Sequence, residues 1–117
     1  MFQKNMKISL LIDFYGELLS EHKKEAVELY YNEDLSLAAI AEQMGISRQG
    51  VHDLVKKSEA LLSGYEEKLG LAKRFSDAKT SLESLSSELV KFADTDDNAE
   101  RAARLREIAD GLSSVSI

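Results

Sequence analysis

The chain has no proline and no cysteine among its 117 residues. Without proline, no residue lacks its backbone donor or clashes with the preceding turn, so long helices meet no forced break. Without cysteine, disulfides and thiolate metal sites are excluded, and a reduced intracellular home is compatible. Long apolar runs are missing too. The longest near the N-terminus, Ile8 to Ile12, is interrupted by Ser9 and is far too short for a signal peptide or a membrane span. There is no Gly-rich phosphate loop, no serine elbow, no internal repeat and no low-complexity tract, so neither a nucleotide cofactor nor a familiar enzyme class is indicated. These absences point to a soluble cytoplasmic protein that is not an enzyme, with no membrane association and no cofactor.

Leu, Glu, Ala and Lys are abundant and β-branched runs are few, which predicts an all-α fold. The length suits one domain, or one small domain with a helical extension, around a modest core. The formal net charge is −6 and the pI is near 4.9. That argues against a protein that coats nucleic acid nonspecifically, because phosphate binding draws on clustered Lys and Arg. It leaves room for a local basic face on an acidic body.

Ser36 to Lys57, SLAAIAEQMGISRQGVHDLVKK, is the most informative stretch. It reads as a helix-turn-helix. Ile40, Met44, Ile46, Val51 and Leu54 are apolar where such a unit interlocks, and Ala41 is small where its two helices come close. Gly45 stands where the turn needs positive φ, and Ser47 where the second helix needs an N-cap oxygen.

Upstream, helical spacing of Ile8, Leu11, Ile12, Tyr15, Leu18 and Leu19 predicts a helix from Asn5, its N-cap, to about Leu19. Ser20 caps a second helix with Glu21 in its first turn. This helix buries Ala26, Val27, Leu29 and Tyr30 and ends at Asn32-Glu33-Asp34. Leu35 precedes the Ser36 cap as a hydrophobic staple. Downstream, Leu61, Leu62, Tyr65 and Leu69 continue the helical pattern. Leu71, Phe75, Ala78, Leu82, Leu85, Leu89 and Phe92 then follow in steps of four and three, a heptad seam. One unbroken helix from Arg48 to Phe92 would be roughly 65–70 Å long, so it either breaks and folds back or pairs with another chain. Gly70 is the first candidate for the break and Gly64 the second. Ala93 to Asp97 forms an acidic loop capping a last helix, about Asn98 to Leu112, with Ala102, Leu105, Ile108, Ala109 and Leu112 as its apolar stripe. Ser113 to Ile117 reads as a frayed tail. The chain thus divides into a helix-turn-helix domain, 1–69, and a helical dimerisation or extension region, 70–117. That last helix could cover the seam within one chain, but it is short and rich in alanine. The reading therefore favours a homodimer.

The outer face of the second helix carries Ser47, Arg48, Gln49, His52, Asp53, Lys56 and Lys57. In a DNA-binding unit the N-terminal end of this helix enters the major groove. Arg48 and Gln49 would lie nearest base edges, where each can make paired hydrogen bonds. Lys56 and Lys57 would reach phosphates, as would Lys23 and Lys24 at the start of the helix capped by Ser20. Asp53 opposes this, since it would repel phosphate; it can instead accept from cytosine or hold Lys57 at i+4. The nucleic-acid-binding set is therefore Ser47, Arg48, Gln49, His52, Lys56, Lys57, Lys23 and Lys24; the alternative is an ordinary solvated face. His22 and His52 lie on different helices without a partner at ligand spacing, so no metal site is expected. Glu66-Glu67 and Asp96-Asp97 are sequence neighbours pointing to different faces, poor acid–base pairs.

Gly45, Ile46, Ser47, Arg48 and Val51, with Lys57 and Leu62, resemble the DNA-binding region at the C-terminal end of sigma factors. That region is a four-helix unit with a small-residue support helix followed by Gly-apolar-Ser/Thr-Arg. His52 and Asp53 depart from it, as does Glu59 to Ser63, which lacks the arginine-rich ending. The fuller resemblance is to the YlxM-like family of small helix-turn-helix proteins. Phe14-Tyr15, Tyr30-Tyr31-Asn32-Glu33-Asp34 and Ser47-Arg48-Gln49-Gly50-Val51-His52-Asp53 carry it, and His52 and Asp53 belong to that family's own pattern. The resemblance implies a gene beside those of the signal recognition particle and its receptor, hence an accessory or regulatory role in that pathway. The leading expectation is a regulatory protein that binds nucleic acid, DNA first and RNA second. Its rival is a protein-interaction module that binds a signal recognition particle component.

Overall fold

The computed structural model describes Met6 to Val115; the expected Asn5 cap and the end of the tail, Ser116 and Ile117, lie outside the described residues. Among the described residues the chain forms six α-helices, a 3-10 turn and one π-helical segment, with no strand. It divides into two compact units, Met1–Ala72 and Lys73–Ile117.

In the first unit, α1 (Met6–Tyr15) ends earlier than the apolar spacing suggests. The chain tightens into a 3-10 turn at Gly16–Leu18, and Leu19 turns extended while donating its N–H to the Gly16 carbonyl at 3.1 Å. Gly16 permits this: a Cβ there would stand 3.3 Å from Ile12 Cγ2. Leu18, expected in the core, is consequently 57% exposed, while Leu19 is buried.

Helix α2 (Glu21–Val27) starts on Ser20, whose hydroxyl accepts the Lys23 N–H, and passes into a π-helical segment, Glu28–Asn32. The wider turn gives two successive tyrosines inward roles. Tyr30 is buried, and Tyr31 meets it edge-on with ring centroids 5.0 Å apart while its hydroxyl donates to Glu59. Single π-turns of this kind occur mostly where a helix has a special job. Glu33 closes the segment, its N–H donating to the Glu28 carbonyl at 3.0 Å, and Asp34 follows at φ +55.

Helices α3 (Leu37–Met44) and α4 (Arg48–Leu69) follow. Leu35 is half-buried against the cluster that holds Ile40, as a staple requires. Helix α4 is the spine of the unit. Its buried face is Val51, Val55, Ser58 and Leu62, the 4-3-4 spacing of one helical stripe. Val51 and Val55 join Ala26, Tyr30, Ile40 and Ala41 in one apolar cluster; Leu62 joins Ile8, Leu11, Ile12, Tyr15, Leu19, Val27 and Ala72 in the other. Ser58 is fully buried, and its hydroxyl is satisfied by donating to the Leu54 carbonyl at 2.6 Å. Leu61 and Leu69, read from sequence as part of the apolar pattern, are exposed.

Gly64 sits inside α4, and the helix breaks at Gly70, which adopts φ +62. Helix α5 (Leu71–Asp94) begins at once. Its first amides would lack partners, but the Leu71 N–H donates to the Tyr15 hydroxyl at 3.0 Å and the Ala72 N–H to Glu66 Oε1 at 3.0 Å.

In the second unit, α5 runs to Asp94, so Ala93 is a buried helical residue and not part of a loop. Asn98 caps α6 (Ala99–Ser113) by accepting the Arg101 N–H at 3.0 Å. Asp96 accepts the Asn98 N–H and both a Nε–H and an Nη2–H of Arg101, which hold its carboxyl down at about 2. Helix α6 folds back on α5: Ser86, Ala93, Ala102 and Ala109 are buried, and Ser86 Oγ donates to the Ala109 carbonyl at 2.9 Å. The expected seam is therefore only partly used. Phe75, Ala78, Leu82 and Leu89 are half-buried, whereas Leu71, Leu85 and Phe92 are exposed, as is Ile108 of the α6 stripe.

Candidate nucleic-acid interface

The interface is built from its caps outward. Ser36 Oγ accepts the Ala39 N–H at 3.1 Å and starts α3. Gly45 ends it at φ +70, and the Ile46 N–H reaches the Ala41 carbonyl at 3.1 Å. Ile46 was expected to interlock with the core; the turn instead leaves it 40% exposed, beside Gly50. Ser47 Oγ accepts the Gly50 N–H at 2.9 Å. A Cβ on Gly50 would stand 3.1 Å from that oxygen, so glycine keeps the cap compact.

This cap points the first turn of α4 outward. Ser47, Arg48, Gln49, His52, Asp53, Lys56 and Lys57 are all exposed on three turns of one helix. Ser47 uses its hydroxyl as the cap, so its part is to hold the helix start. The other groups differ in how they are engaged. Gln49 Nε2 donates to Asp53 Oδ1 at 3.0 Å, and His52 Nδ1 lies 3.7 Å from the same oxygen. Lys56 Nζ lies 3.6 Å from Glu59 Oε2. Among the described residues Arg48 and Lys57 have no ion-pair partner, so they are the free cations of the face. From Arg48 to Glu59 the helix carries the cations Arg48, Lys56 and Lys57 against the carboxylates Asp53 and Glu59, a mildly basic balance on an acidic chain.

Lys23 and Lys24 stand on α2, which packs on α4. Lys24 bonds to Glu17 and lies 4.0 Å from Glu28; the Glu17 bond raises its pKa. Lys23 is half-buried and without an ion pair among the described residues. Sequence reasoning missed Glu59 as a member of the face. Its i+3 spacing from Lys56 was a visible signal; its bond to Tyr31, 28 positions away, was not.

Among the described residues no group of three or more His, Cys, Asp or Glu is placed to hold a metal ion. No helix among them is long and apolar enough to cross a membrane.

A short support helix, a left-handed glycine turn and a capped, outward-facing second helix define a helix-turn-helix protein. The chain belongs to the UPF0122 family: the family model described as "Putative helix-turn-helix protein, YlxM / p13 like" matches residues 2–102. That description names a helix-turn-helix protein and no enzyme. A UPF0122 protein of Desulforamulus reducens is 55% identical over 76 residues, 65% of each chain. One of Clostridium kluyveri is 42% identical over 101 residues, covering 84% of this chain and 87% of its own. One of Geobacillus kaustophilus is 40% identical over 108 residues, covering 92% and 96%.

Proposed function

We propose that this is a cytoplasmic, non-enzymatic regulatory protein that binds nucleic acid through the first three turns of α4, acting in the signal recognition particle pathway. The observation that carries the reading is the capped first turn, which presents Arg48 outward and unpaired. That is the position from which a recognition helix meets base edges. Arg48 and Gln49 read bases; Lys57 and Lys56 take phosphates, with Lys23 and Lys24 as flanking cations. The pathway rests on the family resemblance alone.

Arg48→Ala is expected to cost about 1–3 kcal/mol of discrimination between duplex sequences while leaving weak binding, and Lys57→Ala to flatten the slope of log K against log salt by about one. Fluorescence anisotropy across a salt series checks both. Equal affinities of wild type and Arg48→Ala for every sequence would remove base reading from this helix.

Asp53 favours a second reading, a protein-interaction module that meets a basic patch of a signal recognition particle component. Asp53 lies mid-face and 57% exposed. Asp53→Asn should tighten binding to any duplex, or to the particle's RNA, if the face meets phosphate. It should weaken the complex if the partner is a basic protein.

The second unit serves homodimerisation in this proposal. Leu85, Phe92 and Ile108 each precede by one position a residue buried at the α5–α6 contact: Ser86, Ala93 and Ala109. One position is a rotation of about 100°, and in an antiparallel pair that rotation brings all three to the same side. Such an apolar face is unusual on a monomer. Sedimentation equilibrium should give a dimer at micromolar concentration, and Leu85→Glu with Phe92→Glu a monomer. A wild-type monomer would refute it.

A further inference from the structure

We propose that Glu59 is a fixed counter-charge that limits how tightly the α4 face holds a nucleic-acid backbone, acting through Lys56. This rests on the nucleic-acid reading above.

The two carboxylates of the face differ in how they are held. Asp53 is exposed, and its contacts are to Gln49 and His52 on its own helix. It can rotate away when a phosphate approaches. Glu59 cannot. Its side chain is 23% exposed, and Oε1 accepts the hydroxyl of Tyr31, which comes from the π-helical segment and is braced edge-on by Tyr30. Burial first, and the bond to Glu59 second, push the Tyr31 phenol up, so it remains a donor at any working pH. With Oε1 anchored, Oε2 faces Lys56 Nζ at 3.6 Å.

Lys56 therefore has a standing partner. To contact phosphate it must leave Glu59, and the anchored carboxylate then stays behind beside the phosphate. The gain from one cation is offset by one anchored anion that cannot follow. Lys57, which has no such partner among the described residues, would supply the phosphate-neutralising charge in the wild-type protein. Weak attraction to arbitrary duplex follows, and base reading by Arg48 counts for relatively more.

Glu59→Gln is the test. The glutamine keeps an oxygen for the Tyr31 hydroxyl and nearly the same volume, and loses only the charge. Binding to a random-sequence DNA duplex at about 0.1 M salt is expected to tighten about three- to tenfold, with the slope of log K against log salt steeper by about one, the signature of one added phosphate contact. In a Lys56→Gln background the same change should give a clearly smaller gain and no change of salt slope, because the added phosphate contact is made by Lys56. Tyr31→Phe, which frees Glu59 without discharging it, should fall between wild type and Glu59→Gln. Thermal melts verify that each variant is folded; if Glu59→Gln does not fold, Tyr31→Phe carries the test and must tighten binding. An unchanged slope for the folded variants, or an equal gain in the Lys56→Gln background, overturns the proposal. If that happens while Arg48→Ala still loses discrimination, only the role of Glu59 falls. If no folded variant and no wild type binds duplex, the nucleic-acid reading falls and this proposal with it.

Discussion

Glu66→Ala should destabilise the protein by about 2–4 kcal/mol, because it leaves two donors unpaired at one point. Glu66 Oε1 accepts the Tyr15 hydroxyl at 2.6 Å and the Ala72 N–H at 3.0 Å. Tyr15 is 1% exposed, so water cannot replace the lost acceptor. Its oxygen also accepts the Leu71 N–H. The pair thus does for α5 what an N-cap residue does elsewhere, and α1 supplies half of it. Glu66→Gln, which retains an acceptor oxygen, should cost about 1 kcal/mol. Urea midpoints measure both, and an unchanged midpoint for Glu66→Ala would show that α5 does not need this cap. The same phenol adds an alkaline limit. Burial first, then the Glu66 bond, raises the Tyr15 pKa above 10.0, and burial likewise raises those of Tyr30 and Tyr31. In the unfolded chain these groups ionise near 10, so their stabilisation is fully present below that pH and is lost as pH rises toward the folded values. Melting temperatures should fall above pH 10, and less steeply in Tyr15→Phe.

The contrast between Ser47 and Glu66 shows what a sequence can reveal. Ser20, Ser36, Ser47 and Asn98 each accept an N–H three positions ahead. The three serine caps were legible, as were the positive φ of Gly45 and the break at Gly70; the last cap was expected in the acidic loop before Asn98 and falls on Asn98 itself. Glu66 and Tyr15 are 51 positions apart, and Glu59 and Tyr31 are 28 apart. Nothing local marks such pairs, and both glutamates look like solvated helix surface until the fold brings a buried phenol to them. The leucine seam misled in a different way. Apolar spacing tells which side of α5 is greasy, but the approach of α6 is set by where side chains are small. Ser86, Ala93, Ala102 and Ala109 let the helices meet, and the contact is rotated away from Leu85 and Phe92. Ile46 failed for a related reason: an apolar residue in a turn is held by backbone geometry, not by the core. The outward residues of α4 could be placed from helical phase alone. Their internal pairs at i+3 and i+4 could be foreseen, but not which of the carboxylates is anchored.

The largest core effect is expected at the crossing of α3 and α4. Ala41 is 8% exposed and belongs to the cluster of Ala26, Ile40, Val51 and Val55, of which Ala26, Ile40 and Val51 are fully buried. Leucine at this position adds three carbons where neighbours have no room to retreat, so Ala41→Leu should cost about 1–3 kcal/mol through overpacking. Gly45→Val tests the turn by a separate route. A Cβ at Gly45 meets nothing within 4 Å, so crowding contributes nothing there. The cost comes from holding a β-branched residue at φ +70, again about 1–3 kcal/mol. Asparagine tolerates the left-handed region, so Gly45→Asn should recover most of the loss, whereas no polar substitution should rescue Ala41→Leu. Both destabilised variants should also weaken any binding by α4, since the turn sets where Ser47 caps the helix and where Arg48 points. Denaturant midpoints unchanged in Ala41→Leu and Gly45→Val together would place the turn elsewhere in the sequence. Equal losses in Gly45→Val and Gly45→Asn would mean that contact, not backbone conformation, selects glycine at this position.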